Sequence, residues 1–281
     1  MKHIPVLLNS VLDALGDIDG KSVIDATFGA GGYTRAFLER GAIVTAFDRD
    51  PNVVSDANDI KSEYGDKFNF IAAPFSEMKN LTDTYDAIVF DLGISSMQID
   101  IAERGFSFRY DGPLDMRMGQ KGQTAADLIT TTTDSELATI LRDYGDVKKA
   151  MLLAKVIHQN MPKTTFELRD LIHNPHDIAP VFQALRIAVN NEMDELETTL
   201  TTIPNLLNVG GKCVCVTFHS IEDRIVKNTF RDWTMPVGDP RLPDLQPAKF
   251  NLIKAQTPTD DELKGNPRAR SAHMRAVEKS Y

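Results

Sequence analysis

The residues best able to do chemistry sit in the first hundred positions. Asp25-Ala-Thr-Phe-Gly-Ala-Gly-Gly32 is a glycine-rich turn closing an apolar run, and absent side chains there let a ligand lie against the main chain. Such turns also serve tight strand-to-helix packing alone, so the spacing of neighbouring polar residues has to name the ligand. Asp48 closes the next apolar run 16 positions past Gly32, where a carboxylate accepts ribose hydroxyls. A dinucleotide turn would read Gly-x-Gly-x-x-Gly with a pyrophosphate over the helix start, whereas Gly29-Ala-Gly31-Gly32-Tyr33 lacks the third small residue. The pattern suits an adenosyl group carrying an amino-acid moiety and no pyrophosphate, and S-adenosylmethionine is that ligand.

Three more residues extend the site. Phe75 follows a third apolar run and is placed to pack on an adenine; Asp91 ends a fourth, where chemistry occurs in such folds; Gln98 follows in the next loop. Singly, a strand-end Phe is as often core and a strand-end Asp often caps a turn; their order along the chain gives them weight. His219, after a later apolar run, is either a proton acceptor or a hydrogen-bonded structural residue. Cys213 and Cys215 alternate within that run, too close along one strand for a disulfide and without further ligands for zinc, so packing is their expected role and no metal is expected.

These residues need a scaffold that brings strand ends to one edge. Short β-branched runs at 22–28, 42–47, 68–72 and 87–91 alternate with helical patterns, the rhythm of βαβ units and a parallel sheet. From 104 to 189 the strand signal stops, which predicts an inserted all-α domain between methyl-donor halves 1–103 and 190–281. Inside it, Asp134 is expected to cap a helix to Tyr144, and a second helix over 146–160 to show Val147, Met151, Ala154 and Ile157 on one face. A capping box is expected at Thr164 and Glu167. Phe182, Leu185, Val189, Met193, Leu196 and Leu200 form one helical stripe over 181–202. A strand at 212–218, a helix at 221–230 and a strand including 250–253 resume the sheet, with a proline-rich connection over 234–258.

The 281 residues carry 42% hydrophobic and 25% charged side chains, which excludes disorder, collagen and coiled coil. No run reaches membrane-spanning length and no leader pattern opens the chain, so a cytoplasmic protein with no membrane partner is expected; a homodimer is compatible with the sequence. A net charge of −9 argues against gripping nucleic acid by bulk charge.

The stretches His3-Ile-Pro-Val-Leu-Leu8, Asp25 to Gly32, Phe47-Asp-Arg-Asp-Pro51, Asp91-Leu-Gly-Ile-Ser-Ser96 and Glu103-Arg-Gly-Phe-Ser-Phe108 resemble the bacterial 16S ribosomal RNA cytosine-N4 methyltransferase family. So do Asp111-Gly-Pro-Leu-Asp-Met-Arg-Met118, Phe182-Gln-Ala-Leu-Arg-Ile187, Phe218-His-Ser-Ile-Glu-Asp-Arg-Ile-Val-Lys227 and Asn266-Pro-Arg-Ala-Arg-Ser271. The resemblance implies a class I S-adenosylmethionine-dependent methyltransferase, a Rossmann-like α/β sheet with a helical insert, acting on a decoding-site cytosine of 16S rRNA in the small ribosomal subunit. It implies donor contacts at Gly31, Gly32, Tyr33, Asp48, Phe75, Asp91 and Gln98. Tyr33 stands where the family more often has His, so only a backbone contact carries over. Asp177-Ile-Ala-Pro-Val181 lacks the family's basic stretch, with Pro180 at the usual Arg or Lys.

Asp91 is the candidate catalytic residue, an acceptor for the N–H bonds of cytosine N4. RNA contact is expected from a clamp of Arg104, Arg109, Arg117 and Lys121 with Phe106 and Phe108 between them for stacking, and from the basic tail over 264–281, including Arg268 and Arg270. Two other classes compete: a dinucleotide oxidoreductase, which the loop spacing disfavours, and a non-catalytic ribosome-assembly factor of the same fold, which would leave Asp91 vestigial.

Overall fold

The structure, a computed structural model, describes residues 5–238 and 246–281, so His3 and Ile4 of the first motif and part of the 234–258 connection lie outside the described residues. Contacts divide the chain into two compact units, Met1–Gly93 with Glu195–Tyr281, and Ile94–Asp194.

The first unit opens with α1 (Leu8–Leu15), β1 (Ser22–Asp25), α2 (Gly32–Leu38), β2 (Ile43–Phe47), α3 (Val54–Tyr64), β3 (Phe68–Ile71) and β4 (Tyr85–Asp91). Ile24, Val44, Phe47, Ile88, Val89 and Phe90 are fully buried, as interior strands covered on both faces require. Asp50 caps the turn Pro51–Val53 by accepting from the Asn52 N–H at 3.0 Å, so chain leaving β2 is pinned at once.

The second unit holds α4 (Ser96–Asp100), α5 (Ala125–Thr131), α6 (Asp134–Gly145), α7 (Ala150–Asn160), α8 (Thr165–Asp170) and α9 (Pro175–Asn190), with no named strand among its described residues. It begins ten residues ahead of the expected 104, because the segment around α4 pairs with no strand of the sheet. Capping boxes start α5 at Thr124, α6 at Thr133 and α8 at Thr164. Thr133 thus replaces Asp134 as the cap of α6, since its hydroxyl reaches the Glu136 N–H. α7 starts at Ala150 rather than 146 and buries Ala154 and Ile157, while Met151 of the expected face is turned to solvent.

The expected stripe over 181–202 is two helices. Asn191, at φ 51°, ends α9 in the left-handed region, and α10 (Glu192–Leu206) follows. Then come β5 (Leu207–Thr217), α11 (Ser220–Trp233), β6 (Phe250–Gln256), α12 (Asp260–Gly265) and β7 (His273–Lys279). Leu196, Leu200, Ile203 and Leu206 of α10 pack with Phe90, Cys213 and Cys215, which confirms the two thiols as packing groups.

The seven strands lie in the order β3-β2-β1-β4-β5-β7-β6. The first five are parallel, and β7 runs antiparallel to both β5 and β6. The order and directions fit the Rossmann-like sheet that the resemblance implies. Strand order reverses between β1 and β4, which opens a crevice beyond their carboxyl ends. β7 corrects the reading of the 264–281 tail as a basic surface: Met274, Ala276 and Val277 are buried, and Arg275 is held bidentate by Asp223 at 2.8 and 2.9 Å. Lys279 Nζ donates to the carbonyls of Pro204 and Leu207.

Candidate active site

Parallel strands deliver their last residues to one edge, so Asp25, Asp48 and Asp91 meet at the ends of β1, β2 and β4. Asp25 is buried and accepts from Thr34 Oγ1 at 2.7 Å and from the Thr27 N–H at 3.2 Å. Burial pushes its carboxyl up to about 6, those hydrogen bonds pull it down, and the charge of Asp48 adds to the rise. Asp48 accepts from the Gly29 and Asp50 N–H groups, each at 2.8 Å, and burial outweighs these donors so that its carboxyl is also raised. Each oxygen keeps a lone pair for a further donor, as a ribose hydroxyl requires.

Asp91 differs from both. Its N–H donates to Thr27 Oγ1 at 2.7 Å, which fixes the main chain, but Oδ1 is shut off from solvent with no hydrogen-bond partner. Burial, then the charges of Asp25 and Glu222, hold this carboxyl well above the usual range. A buried acceptor left unpaired costs about 1–3 kcal/mol, so it is a place for a donor group the chain does not supply. Three crowded carboxyls with raised affinity for protons also favour a cationic ligand, which fits a sulfonium with an ammonium.

The glycine turn is built differently from its expected role. A Cβ at Gly31, which sits at φ 73°, would come within 2.6 Å of Ile60 Cδ1, and one at Gly32 within 2.5 Å of Pro5 Cγ. Both glycines are demanded by protein packing, so any part in holding a donor is through main chain and the shape of the turn. The open face is at Gly29, where the nearest atom to such a Cβ is the Thr27 carbonyl at 3.9 Å. Tyr33 is buried and its hydroxyl donates to the Val6 carbonyl; Glu262 of α12 accepts from the Leu7 N–H. Residues 5–7 thus form a strap across the turn. Burial, with the charges of Asp91, Asp25 and Glu262, keeps the Tyr33 phenol protonated.

Phe75 opens the turn Phe75–Asn80, half-buried and edge-on to Phe90 at 5.5 Å between ring centres. The next N–H, of Ser76, donates to Glu195 Oε1 at 3.3 Å, and Glu195 also pairs with Arg49. His219 caps α11. Its Nε2 lies 3.0 Å from Glu222 Oε2, while Glu222 Oε1 accepts from the Phe218 and His219 N–H groups. The structural reading of His219 is therefore the one the geometry favours, and Glu222 acts on Asp91 by its charge. Gln98 lies in the second unit, where it forms a capping box with Ser95: Oε1 accepts from the Ser95 N–H at 3.0 Å. Thr27, Thr34, Glu195 and Glu222 were not legible as site residues; of these only Glu222, three after His219, carried a signal, the capping-box spacing.

Comparison with known proteins decides the identity. The sequence profile of the MraW methylase family matches residues 1–280. The chain belongs to that family. A "Ribosomal RNA small subunit methyltransferase H" of Mesorhizobium japonicum is 44% identical over 294 residues, covering 99% of this chain and 87% of that protein. Proteins of the same name from Rickettsia canadensis (43%, covering 99% and 98%) and Caulobacter sp. (46%, covering 98% and 92%) are similar throughout. The match displaces the dinucleotide oxidoreductase.

In this methylase much of the expected RNA clamp is spent inside the helical unit. Arg104 is buried, its Nη2 donating to the carbonyls of Arg117 and Met118 at 3.0 and 2.9 Å, with its guanidinium 5.6 Å from the Phe106 ring centre. Phe106 is core, and Phe108 packs edge-on against Phe182 at 5.5 Å. Arg117 is neutralised by Asp115 through bonds of 2.8 and 2.7 Å. The segment folds back on its own carbonyls, which is why its arginines turn inward. Arg109 and Lys121 remain exposed, as does Arg270 in the sheet unit; the Arg268 side chain lies outside the described residues.

Proposed function

We propose that this methylase transfers a methyl group from S-adenosylmethionine to N4 of a decoding-site cytidine, nucleotide 1402 in standard rRNA numbering, of 16S rRNA in the small ribosomal subunit. The observation that carries the reading is the unpaired, solvent-excluded Oδ1 of Asp91 at the strand-order reversal, beside the carboxyls of Asp25 and Glu222. The relatives named above support the substrate. When bound, S-adenosylmethionine supplies an electrophilic methyl group on a sulfonium. Asp48 would hold its ribose, the 29–33 turn its amino-acid end, and Phe75 its adenine.

Cytosine N4 is a poor nucleophile because its lone pair is delocalised into the ring. An acceptor that engages its N–H bonds turns that lone pair out of conjugation and aims it. Asp91 has two acceptor oxygens, enough for an N4–H and for the donor's amine. Its raised proton affinity also suits it to take the proton that the methylated nitrogen sheds. The reaction belongs in the cytoplasm, where reduced thiols such as Cys213 and Cys215 persist; no described helix is long and apolar enough to cross a membrane.

The test uses purified protein, labelled donor and small subunits from a strain lacking this methylase, with mass mapping of the RNA. N4-methylcytidine at a single site is expected, and Asp91→Ala should abolish it. Full turnover by Asp91→Ala at saturating donor would remove Asp91 from the mechanism. Tight subunit binding with no methyl incorporation by the unaltered chain would favour an assembly factor.

A further inference from the structure

Most arginines of the helical unit already have a carboxylate. Arg117 pairs with Asp115, Arg142 with Asp143, Arg169 with Asp170 and Arg186 with Glu192. The unit's five lysines have no such partner among the described residues, and three of them cluster at α7. Lys148 and Lys149 in the link before it and Lys155 on it are exposed and make no ion pair among the described residues. The first turn of α7 has no acidic residue, and Asp146 is the one carboxylate over 146–160. Between the lysines, Leu152 is 62% exposed and Met151 45%. On α7, Leu152 and Lys155 fall at i and i+3 and Met151 and Lys155 at i and i+4, with Lys148 and Lys149 just ahead of the first turn, while Ala150, Ala154 and Ile157 fill the core from the other side.

We propose that this face of α7 is the RNA-contacting surface of the helical unit, its lysines on phosphates and its Leu152 and Met151 against unstacked bases. The inference rests on the rRNA reading above and adds where the RNA is held. Charge selects the occupant. A chain of net charge −9 repels RNA except where cations stand unneutralised together. A second copy of the same face would set lysines against lysines, so self-association is disfavoured, whereas RNA supplies phosphates to the ammonium groups and flat apolar base faces to the two apolar side chains.

The test measures binding to deproteinised 16S rRNA and to whole small subunits across roughly 50 to 200 mM salt. The triple variant Lys148→Gln, Lys149→Gln, Lys155→Gln should bind both at least tenfold more weakly. Its slope of log affinity against log salt should be shallower by about 2, from three lost phosphate contacts at roughly 0.7–0.9 each. KM for the subunit should rise with kcat and donor affinity unchanged. Met151→Ala with Leu152→Ala should weaken binding and leave the slope alone. An unchanged slope and affinity in the triple variant, beside an unaltered chain that methylates subunits, would overturn the surface and spare the reaction. Loss confined to whole subunits would mean a protein partner and equally overturn it. Absent methylation with lysine-dependent RNA binding intact would overturn the reaction and uphold the surface.

Discussion

Asp91 is held at a cost. Its carboxyl has a folded-state affinity for protons well above the usual value, so its ionised form destabilises the protein at neutral pH, and that penalty vanishes below the unfolded-state value near 4. Asp91→Asn should therefore raise Tm by a few degrees at pH 7 while losing methylation, and the gain should disappear near pH 3.5; a scan over pH checks both. Asp25 offers a sharper window. With its carboxyl near 6, part of the unliganded population is protonated at pH 5–6, and a cationic donor favours the ionised form. Donor affinity should then rise from pH 5 to 7, and calorimetry in buffers of different ionisation enthalpy should find protons released near pH 6 and fewer at pH 8. The strand-end acids were legible because a charged residue stands out after an apolar run. Arg104 and Phe106 were not, because spacing does not say whether a guanidinium finds main-chain carbonyls or solvent.

Among elements, the break at Asn191 shows what periodicity hides. The apolar residues of α9 and α10 keep spacings of three and four through a left-handed residue, so the stripe reads as one helix although the backbone reverses hand for one residue. Asn tolerates that conformation better than other side chains. Asn191→Ala should cost about 1 kcal/mol and Asn191→Gly close to nothing, by urea unfolding. The interior strands β1, β2 and β4 were readable because they are nearly all apolar, and β3, at the sheet edge with Asn69 exposed, by its aromatic and β-branched residues. The capping boxes at Thr164 and His219 were readable or half-readable by their three-residue spacing. β7 was not, since His273-Met-Arg-Ala-Val-Glu-Lys279 alternates polar and apolar residues and its charges suggest a tail, although the same alternation fits a strand with one covered face.

At the scale of the molecule, the sheet is completed by the residues furthest along the chain. β7 lies inside it, between β5 and β6, and Arg275 ties it to Asp223 beside Thr217 at the end of β5. Arg275→Ala should destabilise by about 2–3 kcal/mol in denaturant titration, because a part-buried carboxylate loses a bidentate partner. Net charge and length could announce neither this strand order nor the unpaired cations of α7, since both depend on which distant residues meet. The strap has a consequence in time. Leu7 is fastened by Glu262, a residue translated some two hundred and fifty positions later. A nascent chain that has not yet reached α12 lacks that fastening, so the wall that residues 5–7 lend the glycine turn sets only after β6 and α12 are made.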